Sequence, residues 1–383
     1  MSEWKKVKLG EICERITSGG TPKANVSSYY YPPIIPWLKT KEVNYCRITE
    51  TENFISEEGL NNSSAKLIAP NSVIVAMYGQ GDTAGRVAIN KIPLTTNQAC
   101  CNLTIDESKA DYEFIYYQLC TLYNKMVSLK AGAAQPNLNA QIIKNLEVLL
   151  PSLPTQHRIA TILSRYDSLI ENYQKQIKLL EEAAQRLYKE WFVDLHFPGY
   201  ENTKIIDGVP EGWEKKLVGD VTPIKTGKKD ANFGTDNGPF PFFTCAQEPI
   251  KAPSYSFDTS AVILAGNGDF NVKLYRGKFE AYQRTYVLEP TNENMLYLLY
   301  FCISENMNRL ATGASGSTIK FLTKGMIESL VIIEPSICVL DSFNQIIEPI
   351  RTQKENLQSQ IRILTEARDR LLPKLMSGEI EIS

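Results

Sequence analysis

The chain has 383 residues, a formal net charge of −2 and eight cysteines, with 43% of its side chains hydrophobic and 22% charged. That length exceeds one ordinary domain and suits two or three. The composition excludes a disordered or collagen-like chain, and the near-zero charge argues against a protein that grips a polyanion by bulk positive charge alone.

The N-terminus, Met1 to Leu9, alternates charge with single apolar residues and shows no secretory signal. The longest apolar run, Met295 to Ile303, is too short to cross a bilayer. With no C-x-x-C motif, the cysteines read as core thiols of a cytoplasmic protein. Cys100 and Cys101 are neighbours in a strand-like run, so their side chains are expected on opposite faces.

Residues 1–153 read as a first globular unit. Ser72 to Met77 is a β-branched run that ends in the turn Gly79-Gln80-Gly81-Asp82, and Gly85 to Ile89 and Ala99 to Ile105 are further strands. Tyr112 to Ser128 carries apolar residues at helical spacing. Residues 154–198 differ in kind. Ile159, Tyr166, Tyr173, Leu180 and Leu187 recur every seventh position, with Ile162, Leu169, Ile177, Ala184 and Trp191 as second seam positions. Residues 199–334 form a second globular unit, with the strand Ser260 to Ala265 before the turn Gly266-Asn267-Gly268-Asp269. Thr285 to Glu289 and Leu330 to Ile333 are further strands, and Glu293 to Asn308 is helical. Residues 335–383 return to a seven-residue stripe of Phe343, Ile350, Leu357, Leu364 and Leu371, joined by Ile347, Ile361 and Leu375. Pro349 is expected to start or kink that helix.

The second half echoes the first. At a shift of 184, Gly132 to Leu187 falls on Gly316 to Leu371 without a gap, and 17 of the 56 positions are identical. Chance would give about three. At a shift of 209, the W-K-K-V-K-L-G-E-I of Trp4 to Ile12 falls on the W-E-K-K-L-V-G-D-V of Trp213 to Val221. The expected fold is therefore α+β, a pseudo-twofold tandem repeat in which two strand-rich domains are joined by two long helices. Each apolar stripe needs a partner, and the other copy is the nearest, so the pair is expected to form an antiparallel coiled coil. Two amphipathic helices, each docked on its own domain, are the alternative. A helix of roughly 24–38 residues measures roughly 36–57 Å, a little more than one turn of B-DNA.

Residues 1–153 carry 15 basic and 14 acidic side chains, and residues 199–334 carry 14 and 16. If the partner is DNA, either cations cluster on one face or another subunit supplies phosphate contacts. Catalysis has little support. His157, read as a helix-start surface residue, and His196, read as part of an aromatic plug with Trp191 and Phe192, are the two histidines. No Walker loop occurs, and the two Gly-x-Gly turns lack the third glycine of a dinucleotide fingerprint. Tyr31-Pro32-Pro33-Ile34 superficially resembles an amino-methyltransferase loop, but lacks both the amide or acid that accepts from the amine and the following aromatic.

Several segments carry a resemblance to the specificity subunits of type I restriction–modification systems. Leu371 to Ile380, L-L-P-K-L-M-S-G-E-I, resembles their C-terminal signature. Leu187 to Phe197 resembles the end of their central conserved helix, and Gly132-Ala133-Ala134-Gln135 with Pro151 to Ile162 resembles its entry. Gly85 to Cys100 and Tyr282 to Leu288 resemble strands of their target recognition domains. Gly316-Ser317-Thr318-Ile319 departs from the glycine-alanine-alanine-glutamine pattern, so a contact through Gln135 lacks a counterpart there.

The resemblance implies a non-catalytic subunit whose domains 1–153 and 199–334 each read one half of a split, asymmetric site on double-stranded DNA. The conserved helical regions 154–198 and 335–383 would set the spacer and dock two methyltransferase (modification) subunits and, through them, restriction/translocase subunits. S-adenosylmethionine, ATP and magnesium are expected on those partners, with no cofactor, metal or membrane for this chain. Base reading needs Arg or Lys for guanine and Asn or Gln for adenine. In the first domain the candidates are Lys39, Lys41, Tyr78, Gln80, Arg86, Asn97, Gln98 and Gln135. In the second they are Lys228, Lys229, Asn267, Lys273, Tyr282, Gln283, Arg284, Thr318 and Lys320. Each of these also suits a solvated surface. Gln98 and Gln283 fall at equivalent places, where a shared structural bond would serve as well as a base contact. Glu182, Arg186, Trp191, Glu366 and Arg370 are candidate subunit contacts, although the charged ones also suit surface pairs. Two alternatives stay open: the recognition subunit of a system with fused methylase and nuclease, and a two-headed protein scaffold without a DNA role.

Overall fold

The computed structural model describes residues 4–79, 81–131, 137–314, 316 and 320–382. Its contacts divide into two units, one of Met1–Tyr173 with Ser359–Ser383 and the other of Gln174–Gln358.

The first unit opens with strand Lys5–Lys8, paired antiparallel with Glu147–Leu150 so that Lys5 lies opposite Leu150. Its main sheet has five strands in the order Cys13–Ser18, Cys100–Ile105, Val73–Ala76, Val87–Asn90 and Arg47–Ile48. Val73–Ala76 and Val87–Asn90 are buried throughout, as expected for β-branched runs without polar alternation. Cys101 lies in the core with Leu103 and Phe114, whereas Cys100 packs with Ile74 and Ala88. The adjacent thiols face opposite sides of the sheet, as the strand period requires. A smaller sheet orders Phe54–Ile55, Ile35–Leu38 and Thr95–Thr96. Helices Tyr112–Thr121 and Tyr123–Ala131 follow, and the Asp111 carboxylate caps the first by accepting from the Phe114 N–H.

The second unit repeats this plan. Strand Glu214–Leu217 pairs with Val331–Glu334, and Glu214 lies opposite Glu334. These are Lys5 and Leu150 displaced by the two sequence shifts, so the duplication preserves even the register. The sheet runs Ile224–Thr226, Thr285–Leu288, Phe257–Ala265, Val272–Ala281, Phe240–Phe243 and Ile250–Ala252. Its first four strands match the first four of the other sheet in connection and order. Helices Leu296–Glu305 and Met307–Gly313 stand where the first unit has its pair.

Two long helices, Leu153–Tyr188 and Ile337–Met376, each contribute to both units. In the first unit, Ile159 and Leu163 share a core with Leu375 and Met376, while Arg368 donates to Asp167 at 2.6 Å. In the second, Trp191 and Phe192 pack on Phe343, and Lys354 pairs with Glu181 at 2.5 Å. Residue numbers rise along one helix as they fall along the other, so the packing is antiparallel within each unit. The start of one helix and the end of the other thus cover each strand-rich region.

Four expectations need correction. The second long helix begins twelve residues before Pro349 and runs through it. Phe343, Ile347 and Leu357 are buried on either side, and that packing outweighs the one missing backbone donor. Leu169 is exposed and Ile170 is buried instead, because a helix docked on a sheet follows the 3.6-residue turn rather than a strict heptad. The aromatic plug is built from Trp191, Phe192, Phe197, Trp213 and Phe343, while His196 is exposed against Tyr200. Trp191, expected at a subunit surface, is 7% exposed and belongs to that plug.

Ser56 anchors the short helix Glu57–Asn61, accepting from the Gly59 N–H at 3.0 Å and donating to the Ser28 carbonyl at 2.6 Å. Replacing it with Ala is expected to destabilise the first unit by about 1–2 kcal/mol, read as a lower urea midpoint with unchanged slope.

Candidate nucleic-acid interface

The sheets of the two units end in the same backbone pattern. In the first, the Gly19 N–H donates to Cys100, Cys100 to Asn97, Asn97 to Leu38, Met77 to Ala99 and Leu138 to Met77. In the second, Gly227 donates to Thr285, Thr285 to Tyr282, Tyr282 to Phe243, Gly266 to Arg284 and Leu322 to Gly266. This places Gln98 and Gln283 at one structural position, with Asn97 matching Tyr282 and Ala99 matching Arg284. The glycines are required by close approach. A Cβ on Gly19 would lie 2.2 Å from the Thr96 carbonyl, and one on Gly227 would lie 1.9 Å from that of Ala281.

Side chains diverge on this common frame. Gln98 accepts from Thr21 Oγ1, whereas Gln283 reaches Asp230 at 3.5 Å. Lys39 lies 4.9 Å above the Trp37 ring and donates to Asn53 at 2.9 Å. Asn97 faces the Cys100 thiol at 3.3 Å, and Tyr78 is half-buried against the sheet core. Lys41 is exposed and paired with Glu52. Arg86 bridges Asp82 at 2.5 Å and Asn44 at 3.0 Å, tying the Gly81 turn to the neighbouring loop.

The second unit assembles a more continuous cationic edge. Lys229 pairs with Tyr282 through its backbone and stacks on Phe233 at 4.4 Å, and Lys228 beside it is exposed. Gln283 and Arg284, both exposed, line a recess of about 280 Å³ with Gly266, Tyr286, Phe321, Leu322 and Thr323. Asn267 bridges Phe321, which follows the exposed Lys320. Lys273 donates to the Ala246 carbonyl at 2.9 Å and to Asn271, and burial lowers its amine below the usual lysine value. Five cations therefore gather where Asp230, Glu248 and Asp269 are the neighbouring acids. Gln80, Gln135 and Thr318 lie outside the described residues.

On the long helices, Glu182, Arg186, Glu366 and Arg370 are exposed, and Arg370 pairs with Glu366 at 2.5 Å. Leu179 and Ile363, equivalent in the repeat and one turn before Glu182 and Glu366, are each 64% exposed.

Thr21 and Asn53 were not anticipated. Thr21 follows Gly19-Gly20, and matching that pair to Gly227-Lys228 would have marked it; Asn53 is brought to Lys39 only by strand pairing. Among the described residues, no His, Cys, Asp and Glu cluster could hold a metal ion, and no helix is long and apolar enough to cross a membrane.

Residues 1–182 and 210–355 match the family described as type I restriction modification DNA specificity domain. The MjaIX specificity subunit of a type I restriction enzyme from Methanocaldococcus jannaschii is 27% identical over 412 residues, covering 99% of this chain and 94% of that protein. The EcoDI specificity subunit from Escherichia coli is 36% identical over 176 residues, covering 45% of this chain and 39% of that one. The crystal structure of a type I restriction-modification S subunit from M. genitalium has a TM-score of 0.63 at 17% identity, covering 100% of this chain and 97% of that one. That likeness concerns the fold.

Proposed function

The chain belongs to the type I restriction–modification DNA specificity family, and from that premise we propose how its parts divide the work of recognition. It is the non-catalytic, DNA-recognising subunit of such a system. Residues 1–153 read one half-site and 199–334 the other, while 154–198 and 335–383 set the spacer between them. The observation that carries this reading is the repeated backbone frame. It presents Gln98 and Gln283 at one structural position but surrounds them with different side chains, which suits two related but unequal half-sites.

Arg284 and Gln283 are the base-reading candidates of the second domain, because each is exposed and can make a bidentate contact with guanine or adenine respectively. Lys228, Lys229 and Lys320 would act on phosphates, and Lys273 supports the Ala246 loop. In the first domain Gln98, Asn97, Lys39, Lys41, Tyr78 and Arg86 remain proposed contacts.

Two modification subunits would dock on the helices through Leu179, Glu182 and Arg186 on one and Ile363, Glu366 and Arg370 on the other. These positions are three and seven residues apart, so each set shares one helix face, and the repeat offers that face twice. S-adenosylmethionine, ATP and magnesium would act on those subunits and the restriction subunits they recruit. Phosphate contacts from these partners would account for this chain's near-zero charge.

The test is to combine the full chain with its modification subunits and map methylation in a host with and without the gene. A bipartite motif that appears only with the gene is expected, and methylation without sequence preference would overturn the reading. Arg284→Ala is expected to cost about 1–3 kcal/mol in binding and relax specificity at one position of one half-site. Competition binding to duplexes permuted at each position measures this.

A further inference from the structure

The loop Tyr31-Pro32-Pro33-Ile34 has no methyltransferase chemistry, yet the fold holds it out into solvent. Tyr31 is 76% exposed and Ile34 57%, with both prolines exposed between them and Phe54 also uncovered on the adjoining strand. A contiguous apolar tip of this kind marks a contact surface.

The tip is braced from within the unit. Tyr30 donates to the Pro22 carbonyl at 2.7 Å and lies edge-on to Trp37, whose indole N–H donates to the Gly20 carbonyl. The Ser56 N–H donates to the Tyr29 carbonyl, and a Cβ on Gly59 would lie 2.2 Å from the same oxygen. The chain from Gly20 through Thr21 to the Gln98 side chain makes the tip continuous with the proposed reading edge. Its charge suits a polyanion. Residues 15–41 contain no Asp or Glu but include Arg15, Lys23 and Lys39; Lys41 is neutralised by Glu52, and Glu57 and Glu58, on the helix packed at Tyr29, are further neighbouring acids. The matching loop of the second unit, F-G-T-D-N-G-P at 233–239, carries an aspartate and no comparable tip.

Resting on the DNA-recognition reading above, we propose that Tyr31 and Ile34 form an apolar wedge that contacts and partly unstacks one base step of the half-site read by residues 1–153. Rigid apolar side chains inserted at a base step kink the duplex, and this selects for steps that unstack easily. The first domain would thereby read deformability as well as base edges, while the second would read base edges and phosphates.

The test uses the full chain with its modification subunits and a duplex carrying the mapped site, with 2-aminopurine placed at each position of that half-site in turn. Wild type is expected to brighten the probe at one step distinct from the methylated adenine, which a methyltransferase flips in any case. Tyr31→Ala with Ile34→Ala should abolish that signal and weaken cognate binding 10-fold or more. It should leave thermal unfolding, subunit assembly and the salt dependence of binding unchanged, since no phosphate contact is lost. Tyr31→Phe should retain the signal. Unchanged cognate binding by the double variant would overturn the wedge, as would loss of subunit assembly, which would make the tip a protein contact. A wild-type complex with no sequence preference would instead defeat the underlying recognition reading.

Discussion

Replacing Arg47 with Met is expected to destabilise the first unit by about 3 kcal/mol, the low end of the cost of breaking a buried ion pair, because Asp167 keeps Arg368. Arg47 lies on the edge strand of the sheet and is 6% exposed, as Asp167 on the first long helix is 7%. The guanidinium sits 3.1 Å from Asp167, 3.5 Å from Glu113 and 3.4 Å from Glu171, and it donates to the Tyr117 hydroxyl at 2.9 Å. Tyr117 donates in turn to Asp167 at 2.5 Å, and Arg368 on the second long helix completes that carboxylate at 2.6 Å. Burial, followed by the Asp167 charge, pushes the Tyr117 hydroxyl well above its usual value, so it remains a donor throughout the stable pH range. A similar but more open group in the second unit joins Arg276, Glu348 and Tyr297, in which Arg276 and Glu348 are 36% and 47% exposed. Arg276→Met should therefore cost under about 1 kcal/mol. Two units need not unfold as one, so hydrogen exchange should be followed separately at amides of residues 73–105 and 257–288. Equal losses from the two substitutions would show that burial does not govern these networks.

Inserting seven residues into both long helices should lengthen the gap between the two half-sites while leaving each half-site unchanged. Glu181 pairs with Lys354 in one unit and Asp167 with Arg368 in the other, and breaks after Gln174 and after Gln360 fall between those pairs along each helix. A heptad at each keeps the apolar stripes facing one another, whereas four residues would rotate them. Seven residues add about 10 Å of helix, and at about 3.4 Å per base pair this is about three more base pairs. Methylome mapping would show the new gap directly. An unchanged gap would mean that the helices do not measure the site.

Much of this architecture was legible in the sequence because duplication leaves a record that is independent of packing. The shifts of 184 and 209 matched the two copies and the long helices, and they carry the Lys5–Leu150 pairing seen in the first unit onto that of Glu214 with Glu334 in the second. Seven-residue spacing identified the helices because an apolar stripe has one physical use. The site was less legible. The equivalence of Gln98 and Gln283 could be read from the repeat, but the Lys39–Asn53 bond and the Thr21 contact join residues that only strand pairing brings together.

The amino-acid order by itself determined that there are two copies of one α+β plan, where the helices lie, and that the two domains differ in their loops. Tertiary structure decided which charges are buried, how the helices pair within each unit, and that His196 stays outside the aromatic plug of Trp191 and Phe192. It carried the helix through Pro349 and turned Leu169 to solvent. Periodicity reports which face of an element is apolar, whereas burial depends on what another segment, distant in the chain, presents to that face.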